Sequence, residues 1–304
     1  MINNSNTYHE PVLLQESVDG LNIHAAGIYV DVTYGGGGHT NEIAKQLKTG
    51  KVYAFDRDVD AVENEVGNKK VEMIHHDYRY LKNFLKYYKA IPVDGILADL
   101  GVSSHQFDNA ERGFSIRSEA DLDMRMDKDI ALTAKKIVNE YSEEKLQDIF
   151  YHYGELFNAS KIARAIVAYR EENSIETTEE LKRAIASCTI KSKEHQFYAQ
   201  VFQALRIEVN DELGSLKEML LQSKDVLKIG GRLVIISYHS LEDRLVKNYI
   251  SKGQFEGEPE KDLYGNYSVP FKTIHKKVIV PSEEEIKRNN RARSAKLRIA
   301  ERVV

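Results

Sequence analysis

The sequence predicts an α/β fold: a Rossmann-like, mostly parallel sheet that finishes on an antiparallel terminal hairpin, with an all-helical domain inserted into it. Three observations predict this fold. The strand-like stretch 28–33 runs into four glycines and then into an amphipathic helical pattern. Residues 106–206 contain four helical patterns and no convincing strand, and two strand-like stretches close the chain. The sheet domain should therefore comprise 1–105 and 207–304, with the insert at 106–206.

The first predicted element is a strand, a glycine turn and a helix. Tyr29 to Thr33 are mostly β-branched or aromatic, and Ile43 and Leu47 share one face of the helix that follows the glycines. Such a turn lets a ligand approach bare backbone and directs the unpaired N–H groups of the helix towards it. A turn in which the glycines serve only steric needs remains an alternative, because glycine-rich turns are common in α/β proteins.

The second predicted strand, 51–56, ends in an acidic residue. Asp56 follows the glycines by about twenty positions, where nucleotide-binding α/β domains place the carboxylate that holds ribose hydroxyls. A helix cap is the alternative for such a residue, and Asp58 could serve the next helix in that way. Together, the glycine turn and Asp56 favour a ligand that contains adenosine.

The third predicted strand, 71–75, precedes a polar group that includes two histidines. Neighbouring strand residues point to opposite faces, so His75 and His76 are not expected to chelate one ion, and no metal site is predicted. Asp77 and Tyr78, at the end of the strand, are better placed to contact an adenine ring, by a hydrogen bond and by stacking respectively.

The fourth predicted strand, 93–99, ends at Asp99. Ligands of open parallel sheets bind at the carboxyl edge of the strands, so Asp99 is the strongest candidate to lie near the reacting atoms. The residues after it, Leu-Gly-Val-Ser-Ser, leave open the alternative that Asp99 only organises a turn.

The insert is predicted to contain helices at 130–139, 143–153, 160–171 and 177–188. Thr177 and Glu180 form a capping box at the start of the last of these helices. The stretches 111–115 and 121–126 mix charged and large side chains without periodicity. This pattern is typical of a loop beside a ligand or of a solvated surface loop.

The chain then returns to the sheet with a helix at 216–227, a turn at Gly230-Gly231 and a fifth strand at 232–237. Ser240 and Asp243 fit a capping box at the start of the next helix. His239 precedes that cap on the ligand-bearing edge, so it is a second candidate for contact with substrate.

Two strands, 271–280 and 294–302, are predicted to close the chain, with a short helix that begins at Ser282 between them. A basic run near the last strand could meet phosphates, or could form a solvated face; it comprises Arg291, Arg293, Lys296 and Arg298.

Composition is that of an ordinary globular protein, with 304 residues, 42% hydrophobic and 30% charged. The net charge of −4 excludes a general polyanion binder, so nucleic-acid contacts would come from local basic patches. The single cysteine, Cys188, excludes an internal disulfide and a thiolate metal cage. No signal peptide or membrane-spanning run is visible, so the cytoplasm is the expected location and no membrane partner is expected.

Two enzyme classes use an adenosine-binding sheet of this kind. A dehydrogenase would hold NAD and continue with parallel strands, whereas a methyltransferase would hold S-adenosylmethionine and finish on an antiparallel hairpin. The two closing strands favour the methyl donor. A P-loop is excluded because no Gly-Lys-[ST] follows the glycines.

Several long motifs resemble one family, the bacterial small-subunit ribosomal RNA cytosine methyltransferases called RsmH or MraW. The matching pieces span nearly the whole chain and include HEPVLL at 9–14, FDRD at 55–58, DGILADLGVSS at 94–104, LDMRMD at 122–127, HSLEDR at 239–244 and NNRARSAKLRIAER at 289–302. The segment at His195 and the residues His105 and Leu156 depart from the family pattern.

This resemblance implies a class I S-adenosylmethionine-dependent methyltransferase that modifies the N4 amino group of one cytosine in the decoding region of 16S rRNA. It implies that the insert helps to bind RNA, and it leaves open a monomer or a homodimer. By motif match, the donor would contact Gly37, Gly38, His39, Asp56, Tyr78, Asp99 and Gln106.

In-line methyl transfer requires an acceptor for the amino hydrogens of the cytosine. Asp99 is the first choice for this catalytic role and His239 the second. The cytosine must be unstacked, with Phe107 or Phe114 as an aromatic platform or, alternatively, as core residues. The rival functions are a non-catalytic rRNA-binding assembly factor and an NAD-dependent Rossmann enzyme.

Overall fold

A computed structural model describes residues 11–63, 67–258 and 269–304. The chain forms two compact units. One consists of the chain up to Gly101 together with everything from Leu213 onwards, and the other is Val102–Glu212. The insert predicted at 106–206 falls inside the second unit.

The first unit is built on a seven-stranded sheet, with the strand order β3-β2-β1-β4-β5-β7-β6. Strands β1 to β5 run parallel, and β7 runs antiparallel to both β5 and β6, which confirms the predicted sheet and its antiparallel end. The strands are β1 Ile28–Asp31, β2 Lys51–Asp56, β3 Val71–His75, β4 Val93–Asp99, β5 Leu227–Ser237, β6 Phe271–Thr273 and β7 Lys296–Arg302.

Helices connect these strands and supply the regular secondary structure of the second unit, apart from an isolated bridge between Asp121 and Thr177. In chain order, those as far as the insert are α1 Leu14–Gly20, α2 Gly38–Gln46, α3 Val59–Glu63, α4 Leu81–Tyr87, α5 Ser104–Asp108, α6 Ala134–Glu140 and α7 Glu143–His152. They are followed by α8 Ala159–Glu172, α9 Thr178–Ile185, α10 Glu194–Asn210, α11 Glu212–Val226, α12 Ser240–Lys252 and α13 Glu283–Arg288. None of these described helices is both long and apolar enough to cross a membrane.

Successive residues of the central strands point to opposite faces of the sheet, and helices cover both faces. Ile96 and Ile235 pack into one apolar layer, with Leu216 and Val246 from the covering helices. Their neighbours Leu97, Val234 and Ile236 pack into the other layer, against α1 and α2. A sheet covered in this way leaves its strand ends as the place where a ligand can meet the strands.

The helical unit has its own apolar core, and the stretch that contains Leu122, Met124 and Met126 lies in it. These three side chains are at most 4% exposed. Asn210 holds this stretch by accepting from the Met126 N–H and donating to the Met124 carbonyl. The stretch 121–126 is thus an irregular loop, as predicted, but the alternative of a solvated surface loop is wrong because its large side chains are buried in the core.

Three further elements differ from the sequence prediction. Helix α10 was not predicted, because its aromatic and β-branched residues are buried on most of its circumference and give no clear stripe. Gly230 and Gly231 lie within β5 rather than in a turn before it. Only Phe271–Thr273 of the stretch 271–280 is a strand.

Candidate active site

The carboxyl ends of β1 and β4 are joined through a threonine. Asp31 is fully buried, and its carboxylate accepts from the Thr33 N–H and from the Thr40 hydroxyl at 2.7 Å. The Thr33 hydroxyl oxygen in turn accepts from the Asp99 N–H at 2.6 Å. The end of β1, the start of α2 and the end of β4 are therefore fixed to one another at this edge of the sheet.

The turn between β1 and α2 depends on its glycines. Gly37 has a φ of 74°, and a Cβ atom there would lie 2.7 Å from the Tyr34 ring. Helix α2 begins at Gly38 with no side chain capping its first N–H groups. At Gly38 a Cβ atom would overlap the Pro11 ring, at 2.1 Å from its Cγ. The turn thus presents bare backbone donors, as predicted for a site that receives a polar ligand.

Asp56 lies at the end of β2 and supports the glycine turn directly. Its carboxylate accepts from the Gly35 N–H at 2.8 Å and from the Asp58 N–H at 2.9 Å. Burial raises the pKa of Asp56 to about 6, although these two hydrogen bonds oppose the rise. Asp58 accepts from the Asp60 N–H at the start of α3, so Asp58, rather than Asp56, has the capping role that the sequence left open.

Tyr78 follows β3 and is half-buried at the start of a short 3₁₀ helix, Tyr78–Tyr80. His75, three residues earlier, pairs with Asp56 across the sheet, so Tyr78 and Asp56 belong to the same edge. The neighbouring Asp77 is occupied by structural contacts, since it accepts from the Arg79 N–H and from the Ser215 hydroxyl.

Asp99 is the centre of a polar cluster at the end of β4. One carboxylate oxygen accepts from the Tyr238 hydroxyl at 2.7 Å, and the other lies 3.8 Å from Nδ1 of His39. Burial raises the pKa of Asp99 to about 6, and the opposing effects of His39 and Tyr238 only partly offset it. A carboxylate with this pKa is a better proton acceptor than an ordinary aspartate.

His39 is 5% exposed and reaches the carbonyl oxygen of Val12 with Nε2, at 3.2 Å. A carbonyl oxygen can only accept, so Nε2 must carry a hydrogen. Nδ1 then faces the carboxylate of Asp99 across 3.8 Å. His39 therefore lies beside Asp99 at the start of α2, where its contact with the Val12 carbonyl holds the ring.

His239 has a structural role that the sequence did not predict. Its Nδ1 accepts from the Glu242 N–H at 3.4 Å, while the Glu242 carboxylate accepts from the N–H groups of Tyr238 and His239. The capping box of α12 is therefore His239 and Glu242, and the predicted pair Ser240 and Asp243 is wrong.

Asp243 instead faces β7. It accepts two hydrogen bonds from the Arg298 guanidinium, at 2.7 and 3.2 Å, and lies 3.4 Å from Nζ of Lys296. Of the four basic residues that the sequence singled out, Arg298 is therefore neutralised within the sheet unit.

Gln106 lies in the helical unit and is 5% exposed. Its side-chain oxygen accepts from the Ser103 N–H at 3.1 Å, which closes the first turn of α5. Phe114 is 5% exposed in the core of the same unit, so it is a core residue rather than an exposed platform, and Phe107 packs partly buried against that core.

Within the sheet unit, one edge carries nearly all the predicted site residues: Gly37, Gly38, His39, Asp56, Tyr78, Asp99 and His239. Sequence reasoning missed Asp31, Thr33 and Tyr238. Asp31 could have been found, because it is a charged residue inside an otherwise apolar strand. The sequence around Tyr238 contains no such pattern; only its position directly after β5 points to it.

Comparisons with known proteins show which family the chain resembles over most of its length. The sequence model of the MraW methylase family matches residues 6–303. The ribosomal RNA small subunit methyltransferase H of Christiangramia forsetii is 57% identical over 297 residues, which cover 97% of this chain and 98% of the relative. The protein of the same name from Bacteroides thetaiotaomicron is 55% identical, over 97% of this chain and 98% of its own.

Among solved structures, an rRNA methylase from Streptococcus thermophilus aligns over 95% of each chain with a TM-score of 0.43 and 15% identity, which is too remote to add to the argument. The match to the family model and the alignments with the two relatives each cover almost the whole chain. The chain therefore belongs to the MraW methylase family.

Proposed function

We propose that this protein transfers the methyl group of S-adenosylmethionine to the N4 amino nitrogen of a cytosine of the position-1402 type in the decoding region of 16S rRNA. The observation that carries the proposal is the carboxylate of Asp99, which lies beside the glycine turn with a raised pKa. Relatives named for methylation of small-subunit rRNA, at 55–57% identity, supply the substrate class.

The residues present fit the methyl donor. Asp56 is a carboxylate suited to ribose hydroxyls, and Tyr78 offers a ring for adenine at the same edge. Gly37, Gly38 and His39 bring uncapped backbone N–H groups for the amino-acid end, and Gln106 is assigned to the donor by motif match alone. When bound, the donor supplies an electrophilic methyl group on sulfur.

Asp99 would make the cytosine amine reactive. The lone pair of that nitrogen is delocalised into the ring, so the amine is a poor nucleophile. A hydrogen bond from N4–H to Asp99 favours the pyramidal nitrogen, whose lone pair forms the bond to the methyl carbon while the sulfur–carbon bond breaks. One N4 proton then passes to Asp99. Holding the reacting groups in line can contribute roughly 7–11 kcal/mol.

His239 is the weaker catalytic candidate. Its Nδ1 is engaged in capping α12, and its side chain is 8% exposed, so we assign the first proton transfer to Asp99. The neighbouring His39 lowers the pKa of Asp99 and so favours the ionised carboxylate that takes up the proton.

We assign RNA recognition to the helical unit, with Phe107 rather than Phe114 as the aromatic side chain that could meet an unstacked base. The small ribosomal subunit is the proposed partner. Membership of the MraW methylase family argues against the two rival functions, a non-catalytic assembly factor that binds rRNA and keeps the donor as a structural ligand, and an NAD-dependent enzyme.

The deciding experiment incubates the protein with donor labelled in its methyl group and with small subunits from cells that lack the enzyme. We expect label in one cytosine, identified by nuclease digestion and mass mapping, and almost none with Asp99→Asn. If the folded protein bound both donor and subunit without transfer of label, the result would favour the assembly factor. If it bound NAD instead of the donor, the result would favour the NAD-dependent enzyme.

A further inference from the structure

A cavity of about 230 Å³ opens in the sheet unit next to the carboxyl end of β5. Its walls include Tyr238, His239, Val280, Arg293, Ala295 and Lys296. It is smaller than the roughly 300–1,000 Å³ of sites for drug-sized ligands, so it suits one small group rather than a whole donor molecule.

The sheet register places this cavity on the β5 side of Asp99, away from the glycine turn. Asp99 pairs with Ile236 of β5, and Lys296, the first residue of β7, pairs with Ser237. Tyr238, which bonds to Asp99, forms one wall of the cavity. The strands β1 and β2, which carry the glycine turn and Asp56, lie on the other side of β4.

The cavity combines apolar walls with a positive rim. The Tyr238 ring, Val280 and Ala295 supply the walls. In the part of the chain that the structure describes, the exposed guanidinium of Arg293 makes no hydrogen bond or ion pair. Lys296 shares Asp243 with Arg298 and remains 43% exposed.

The carboxylates around the cavity are already engaged. Glu242 is buried and accepts the N–H groups of Tyr238 and His239, and Asp243 accepts the Arg298 guanidinium. Because these acids have partners, the charge that an incoming group meets at the rim is that of Arg293 and Lys296.

We propose that this cavity binds one nucleotide of the substrate RNA that flanks the methylated cytosine, with its base against Tyr238 and Val280 and its phosphodiester on Arg293 and Lys296. This inference rests on the proposed function and adds a recognition site for it. An aromatic and apolar wall accepts any base by stacking, and the phosphate contact fixes the register of the strand.

The test measures binding of a short RNA with the decoding-region sequence by fluorescence anisotropy over a range of salt concentrations. Arg293→Gln should weaken binding about 5- to 20-fold and lower the slope of log affinity against log salt by about 0.7, the value for one phosphate contact on a single strand. Arg293→Lys should keep most of the slope. The affinity for S-adenosylhomocysteine should stay within about twofold.

Two further variants sharpen the result. Val280→Asp places a negative charge on an exposed wall residue and should weaken RNA binding without loss of folding. The control Lys48→Gln removes an exposed cation from the α2–β2 connection, at the amino edge of the strands, and should leave affinity and slope unchanged.

Unchanged RNA affinity and slope in Arg293→Gln would overturn the inference, as would a loss of donor affinity in its place, because the cavity would then belong to the donor. Failure of the proposed function looks different: the wild-type protein would bind the RNA, with its slope lowered by Arg293→Gln, and still transfer no methyl group.

Discussion

The hydroxyl of Tyr238 donates a hydrogen bond to Asp99 across 2.7 Å, from the residue after β5 to the last residue of β4. Burial and the neighbouring carboxylate raise the pKa of Tyr238 well above its ordinary value, so the phenol remains a donor throughout the working pH range. One oxygen of Asp99 is thereby held in place.

Tyr238→Phe removes that donor while keeping the ring. Because the hydrogen bond lowers the pKa of Asp99, its loss should raise that pKa further and move the acid limb of the pH–rate profile to higher pH. We expect turnover to fall about tenfold, in line with roughly 1–1.5 kcal/mol for one hydrogen bond. Tyr87→Phe, at an exposed position, is the matched control. An unmoved acid limb would assign Tyr238 a packing role only.

Asp99→Asn should slow methyl transfer about 10²- to 10⁴-fold, because an amide cannot receive the proton from N4. The affinity for S-adenosylhomocysteine, measured by calorimetry, should change less than fivefold. Near-normal single-turnover rates in this variant would remove Asp99 from the catalytic role.

The wild-type rate should depend on pH through Asp99. Its pKa is raised to about 6, and only the ionised form can take up the N4 proton, so activity should be full above that pH and fall about tenfold per unit below it. Rates at saturating donor and RNA between pH 5 and 8 check this sign. A rate that rises as the pH falls through 6 would contradict it.

Asp56→Asn should weaken donor binding about 10- to 100-fold, since a charged acceptor for ribose is lost. The same affinity in the wild-type protein should fall as the pH drops through about 6, because burial raises the pKa of Asp56 to that value. Calorimetric titration with S-adenosylhomocysteine measures both effects. Asp19→Asn, on the exposed face of α1, serves as the control.

Gly37→Ala tests the turn itself. The added Cβ atom meets the Tyr34 ring at 2.7 Å in a backbone with a φ of 74°, so both donor affinity and thermal stability should fall. Gly257→Ala has the same φ, and among the residues that the structure describes the nearest contact of its Cβ atom is Gln254 at 3.8 Å, so this variant measures the strain alone, about 1–2 kcal/mol. Equal effects of the two variants would show that the contact with Tyr34 is unimportant.

The sequence predicted which residues lie at the carboxyl ends of the strands, but not the contacts that these residues make with one another. Gly37, Gly38 and Asp56 fall inside the first strand–turn–helix–strand unit, so spacing alone placed them at one edge. The contact between Asp99 and Tyr238 depends on the pairing of β4 with β5, which are separated by the whole insert, and no local pattern encodes that register.

The capping error has a related cause. The motif [ST]-x-x-[DE] fits Ser240 and Asp243, but Asp243 is drawn to Arg298 on β7, and the helix begins one residue earlier with His239 as its cap. A long-range ion pair overrode a local preference. In the same way, burial of Met124 and Met126 decided the structure of a segment that lacks any period.

The antiparallel strand β7 lies between β5 and β6, although it comes last along the chain. During synthesis β5 must therefore wait, with one row of backbone N–H and C=O groups unpaired, until residues 296–302 have emerged. A nascent chain in this interval is exposed to edge-to-edge association, and it also lacks Lys296 and Arg298. The carboxyl ends of the strands around Asp99 are therefore completed only after β7 has been synthesised.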